Sequence, residues 1–127
     1  MNTMWTRFWA RAVGAVLGCS MCATSWASYS CTGTLDSVTV SPGTGWVIFS
    51  SSAGFGSVYL CLIEGTVNSA NGPVSPAQCK TYLALLLSAQ ASRQQVQFSF
   101  NDALTCTTHP SWAQLTGWYY GPLLMSN

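Results

Sequence analysis

Cysteine placement constrains this chain more than any other residue type. Six cysteines occur, Cys19, Cys22, Cys31, Cys61, Cys79 and Cys106, and the first two fall in an unusual N-terminal segment. Residues 1 to 11 carry Arg7 and Arg11 and no acid, residues 12 to 23 are apolar or small, and Ser25-Trp26-Ala27 closes the run with small residues around one large one. That is the pattern of a secretory signal peptide, residues 1-27, cut after Ala27. The apolar run is shorter than the ~18 residues a spanning helix needs, so no stable membrane span is expected. An alternative is lipoprotein processing at Cys19, since Val16-Leu17-Gly18-Cys19 resembles a lipobox. Cysteine parity opposes it, because that cut leaves Cys22 as an odd thiol, whereas a cut at Ala27 leaves an even set. The expected product is one secreted or periplasmic domain, residues 28-127, stapled by two disulfides.

Along that domain, Leu35 to Val40 alternates and is β-branched, Ser41-Pro42-Gly43-Thr44-Gly45 supplies turn chemistry, and Trp46-Val47-Ile48-Phe49 resumes an apolar run. This spacing predicts a β-hairpin. Ser57 to Ile63 reads as a third strand buried on both faces, and residues 66 to 74 as a polar loop. Ser75-Pro76-Ala77-Gln78 combines a capping serine, a first-position proline and a capping-box glutamine, so a helix is predicted to start there and run to about Ala91. Its core face would carry Cys79, Tyr82, Leu83, Leu86 and Leu87. Val96, Phe98 and Phe100 alternate with Gln95, Gln97 and Ser99, predicting a fourth strand with one wet face. Asn101 to Ser111 reads as a loop, and Gln114 to Tyr120 as a fifth strand. The fold class expected is mostly β with one helix, in the order β-β-β-α-β-β.

Four cysteines allow three pairings. A bridge from Cys61 in the third strand to Cys79 in the first helical turn would pin helix to sheet, and Cys31 would then pair with Cys106. A zinc site built on Cys106-Thr107-Thr108-His109 is disfavoured in an oxidising compartment and lacks a second closely spaced ligand pair.

Only 6% of the 127 residues are charged. Lys80 and Arg93 face Asp36, Glu64 and Asp102 beyond the leader, which is too little charge for phosphate-based nucleic-acid binding. The acid–base groups are Asp36, Glu64, Asp102 and His109, and none stands in a catalytic motif such as Gly-x-Ser-x-Gly or His-Glu-x-x-His. Asp102 reads as a turn residue and His109-Pro110 as an exposed corner, so catalytic residues and cofactors are expected to be absent. Aromatic side chains amid Ser, Thr, Asn and Gln suit neutral sugars, or a protein partner anchored by Trp and Tyr. Trp112 is the aromatic expected at the surface, and Trp46 is expected in the core. Candidate ligand-binding residues are Trp112, His109, Thr44 and Tyr119.

The element order, with Tyr59-Leu60-Cys61-Leu62-Ile63, Cys79 and the segment from Tyr82 to Phe100 containing Gln-Gln-Val-Gln-Phe-Ser-Phe, resembles the OB-fold binding subunits of pentameric bacterial AB-type toxins. It is also similar to short secreted bacterial proteins with a Cys-Thr-Gly-Thr-Leu-like start and a Leu-Leu-Leu-Ser-Ala-Gln-like helix. The resemblance implies a small OB-like barrel that binds a glycan or a cell-surface receptor and assembles as a homo-oligomer, a pentamer. No sugar-binding residue carries over from it. In OB-folds the usual binding surfaces are the face of strands two and three with two adjoining loops, here Ser41 to Gly45 and Asn101 to Trp112. The competing readings are an inhibitor or assembly component that binds protein, and a small hydrolase using His109.

Overall fold

The computed structural model describes residues 27–126. The leader reading and its lipobox alternative lie outside them. Eight strands and one helix follow in order: β1 (Tyr29–Gly33), β2 (Leu35–Val40), β3 (Trp46–Ser51), β4 (Phe55–Leu62), β5 (Val67–Ser69), β6 (Gly72–Val74), α1 (Pro76–Ser92), β7 (Val96–Phe100) and β8 (Trp118–Leu124). They form an antiparallel β1-β7-β8 sheet, an antiparallel β2-β3-β4 sheet and a β5-β6 ribbon. The described residues are therefore mostly β with one helix and two disulfides, as the sequence predicts. The sheets are not closed into one barrel.

β1 and β2 are one stretch of chain interrupted only at Thr34. Its carbonyl accepts from the Ser52 amide at 3.0 Å and the Ser51 hydroxyl at 2.9 Å. A side chain at Gly33 would stand 2.3 Å from the Ala53 nitrogen, so only glycine permits this close pass. The result is that the same segment feeds both three-stranded sheets. Their inner faces meet through aromatics: Phe49 of β3 stacks on Phe98 of β7 at 5.2 Å, and Phe55 and Trp118 meet Phe98 edge-on. Offset-stacked and edge-to-face pairs suit the ring quadrupoles and add to the burial of large apolar surfaces. Leu86 and Ala89 of α1 complete this core.

The predicted hairpin is present. The Ser41 amide bonds to the Trp46 carbonyl at 2.8 Å, and Gly45 supplies the positive φ of 74° that the turn requires. α1 starts where the capping signature places it. Ser75 Oγ accepts from the Gln78 amide at 3.3 Å, and the Ser75 amide donates to Gln78 Oε1 at 2.8 Å. Trp46 is half-buried and packs against the core.

Six expectations need correction. The order β-β-β-α-β-β gives way to six strands before the helix and two after it, because Tyr29–Gly33 pairs with β7 as an additional first strand and a short ribbon adds two more. β4 is not buried on both faces: Val58, Leu60 and Cys61 are buried while Ser57, Tyr59 and Leu62 are half-buried. Leu87 is 47% exposed, because the helix turns Cys79, Leu86 and Ala89 inward and Leu87 follows Leu86 by one residue. The polar stretch 66 to 74 contains the β5-β6 ribbon, held by Val67 and Val74 facing the core. Ser99 is buried, not wet, and shares a 2.8 Å hydrogen bond with Ser30 across the β1-β7 pair. The last strand starts at Trp118 and runs on through Gly121-Pro122, which a register irregularity between Gln97 and Ser99 accommodates. Proline is tolerated there because β8 is the edge of its sheet.

Candidate functional site

Cys31 bonds to Cys106 and Cys61 to Cys79, the pairing expected from topology. The first bond joins β1 to the long β7-β8 connection and removes Cys106 from metal chemistry. The second ties the first turn of α1 to β4. Among the described residues no helix is long and apolar enough to cross a membrane.

The β7-β8 connection is fixed on β1 by a second device. The Tyr29 hydroxyl donates to Asp102 Oδ1 at 2.6 Å and lies 2.9 Å from His109 Nε2. A phenol has one proton. With that proton given to Asp102, His109 must donate from Nε2, which selects its tautomer. Asp102 Oδ1 also accepts from the Leu104 amide at 3.0 Å, so the residue makes the turn its sequence context predicts. Asp102 Oδ2 is buried with no partner. Burial, then the hydrogen bond to Asp102 and its charge, push the Tyr29 phenol well above its ordinary value. Burial lowers the His109 imidazole below its ordinary value, against the opposing pull of the Asp102 charge.

His109 is thus 6% exposed, enclosed by Tyr29, Phe55 and Phe100. The exposed corner expected at His109-Pro110 holds for Pro110 alone. The hydroxyl of Tyr29 was invisible to motif reading, since 73 residues separate it from Asp102. The trio joins two elements by polar contacts inside the fold, and its imidazole faces no open surface.

Trp112 does stand at the surface, 67% exposed. Its φ of 59° is left-handed, which is rare for a bulky residue and costs on the order of 1–2 kcal/mol. Backbone ties hold it there. The Trp112 amide bonds to the Ser57 carbonyl, the Tyr59 amide to the Ala113 carbonyl at 2.9 Å, and the Leu115 amide to the Tyr59 carbonyl at 2.8 Å. These make a short parallel bridge of Gln114 to Tyr59 along β4. Gly56 lets the connection close in, because a side chain there would displace the Ser111 hydroxyl.

Tyr59 meets Trp112 edge-on at 6.5 Å and stacks on Trp46 at 5.5 Å. Three aromatic side chains therefore line up across β3, β4 and the β7-β8 connection. Thr44 is exposed in the β2-β3 turn two residues before Trp46. The sequence offers Trp112 and Thr44 as candidates but not Tyr59, which looks like an ordinary strand residue until β4 is placed beside both tryptophans.

Tyr119 lies elsewhere, on β8. It is 37% exposed and lines a groove of about 330 Å³ that does not include Trp112. Of the candidate ligand residues, the structure puts Trp112 beside Tyr59, leaves Thr44 on the turn before Trp46, sets Tyr119 at a different surface and buries His109. Comparison with known proteins returns no matching family model, no matching curated protein and no matching solved structure.

Proposed function

We propose that the chain is an exported, non-catalytic binding module that holds a neutral glycan on the Trp46–Tyr59–Trp112 face. The observation that carries this reading is Trp112, held in a strained left-handed conformation by three backbone hydrogen bonds that present its indole to solvent. Strain retained by its surroundings at an exposed aromatic suits a binding role better than a packing one. Aromatic planes receive the C–H face of a pyranose, and the neutral hydroxyl-rich surface supplies hydrogen-bond groups without selecting an ion.

The OB-like reading belongs to this proposal. Three features support it: a first strand shared between two sheets, the antiparallel β1-β7 pairing, and the parallel bridge from β4 to the chain before β8. In an OB-like arrangement β3 and β4 are strands two and three, the face on which such folds bind. Two members of the aromatic row, Trp46 and Tyr59, belong to these strands.

A glycan array probed with the oxidised protein, exported from its full-length coding sequence, tests the reading. Hits among uncharged glycans that disappear in Trp112→Ala are expected. An array without hits, or hits indifferent to that substitution, overturns it.

A further inference from the structure

The groove at Tyr119 has its own construction, independent of the Trp112 face. One wall is the β5-β6 ribbon, the second is the first turn of α1, and the third is β8 from Trp118 to Leu123. Each wall is tied to another. The Ala70 amide bonds to the Trp118 carbonyl at 3.0 Å, joining ribbon to β8. The Cys61–Cys79 bond fixes the helical turn that carries Gln78. Tyr82 of α1 meets Trp118 edge-on at 5.8 Å, packing helix against β8. Ser69 Oγ donates to the Gly72 carbonyl and accepts from the Asn71 amide, which shapes the ribbon tip. The cleft exists before any ligand arrives, so little ordering entropy is lost on binding.

Its chemistry narrows what it holds. No charged side chain lines it, so an ionic ligand would lose hydration without gaining a counter-charge. Tyr119 and Tyr120, 37% and 55% exposed, offer ring faces and phenol hydroxyls. Asn71 brings a side-chain amide to the ribbon side. Gln78 spends its carbonyl oxygen on the Ser75 amide and keeps its NH2 group to donate. The volume of about 330 Å³ is near the lower end of small-ligand cavities, ~300–1,000 Å³, room for one ring and not for an extended chain.

We propose that this groove is a second binding site, one that takes a single neutral sugar ring or a comparable uncharged polyol between Tyr119, Tyr120, Asn71 and Gln78. It stands whether or not the Trp112 face binds glycans.

The test is amide-resolved NMR titration of the oxidised protein with free glucose, galactose and N-acetylglucosamine at roughly 10 mM, the weak range expected for one ring. Saturable shifts at Asn71, Gln78, Tyr119 to Gly121 and Leu123 are expected for at least one sugar. Tyr120→Ala and Asn71→Ala should each weaken that binding about tenfold, while Trp112→Ala leaves it unchanged. Both groove positions are exposed, and an unchanged amide spectrum elsewhere verifies folding. No saturable shift with any of the three sugars overturns the proposal. So does a response confined to Trp112 and Tyr59, or equal binding of glucuronate, whose charge the groove does not match.

Discussion

At the scale of single residues, the Tyr29 hydroxyl serves the buried His109 and the half-buried Asp102 at once. Replacing it by hydrogen in Tyr29→Phe leaves Asp102 Oδ1 with the Leu104 amide alone and strands the buried His109 Nε2, and an unsatisfied buried polar group costs about 1–3 kcal/mol. Chemical denaturation should show a loss of that order, and a loss within ~0.5 kcal/mol would assign the trio no structural weight. The same residues set two pH limits. Unfolded His109 takes up a proton near its ordinary value of 6.5, while the buried imidazole resists it, so the unfolded state binds more protons and stability falls as pH drops below that value. At the other end, unfolded Tyr29 loses its proton near 10.0 while the folded phenol keeps its own, so stability also falls above that pH. Denaturation midpoints measured across pH should fall on both sides, with His109→Gln flattening the acid limb and Tyr29→Phe the alkaline one. Trp112 inverts the usual link between stability and conservation of side chain. Because glycine accepts φ of 59° freely, Trp112→Gly should leave thermal stability no lower than that of the parent while abolishing array binding.

Elements differ in how clearly the sequence announces them. The cap Ser75-Pro76-Ala77-Gln78 is local chemistry that acts within four residues, and α1 starts at Pro76 as that signature requires. Ser75→Ala should cost about 1 kcal/mol by denaturation, because it removes the hydroxyl that accepts from the Gln78 amide and leaves only the Ser75 backbone amide bonded to Gln78 Oε1. The β2-β3 hairpin is legible for the same reason, since its turn residues and strand alternation are contiguous. What escapes is information held by distant partners. The ribbon of β5 and β6 has only Val67 and Val74 to mark it, and those two become strand residues when the core receives them. β8 continues past Gly121-Pro122 because it occupies a sheet edge, a position that sequence does not reveal. Tyr59 and Tyr29 gain their significance from residues far along the chain. Of the candidate site, the exposure of Trp112 was therefore readable from its surroundings in the sequence, whereas the partners that orient it were not. The disulfide between β4 and α1 could be inferred from the elements that its cysteines occupy. Removing it in Cys61→Ala/Cys79→Ala should cost about 3 kcal/mol, measured by the same denaturation, since it closes a span of 18 residues.

For the whole molecule, the toxin-subunit resemblance predicts a closed ring, and light scattering on a sizing column reads this directly. The resemblance implies the mass of a pentamer. A monomer removes the ring and leaves the aromatic face to act alone, so the glycan array would then be read for single-site affinities. The pattern of cysteine bonds has a bearing on how the protein is made. Of the four bonded cysteines, a chain delivered N-terminus first presents Cys31, then Cys61, before the native partner of either has emerged, because Cys31 awaits Cys106 across 75 residues and Cys61 awaits Cys79 across 18. An oxidant acting on these four as they appear would join Cys31 to Cys61 wrongly. Only reshuffling by thiolate attack can then reach the nested native pairs, and that chemistry is slow without a catalyst. Yield of correctly bonded protein should therefore depend on a disulfide isomerase more than on the supply of oxidant.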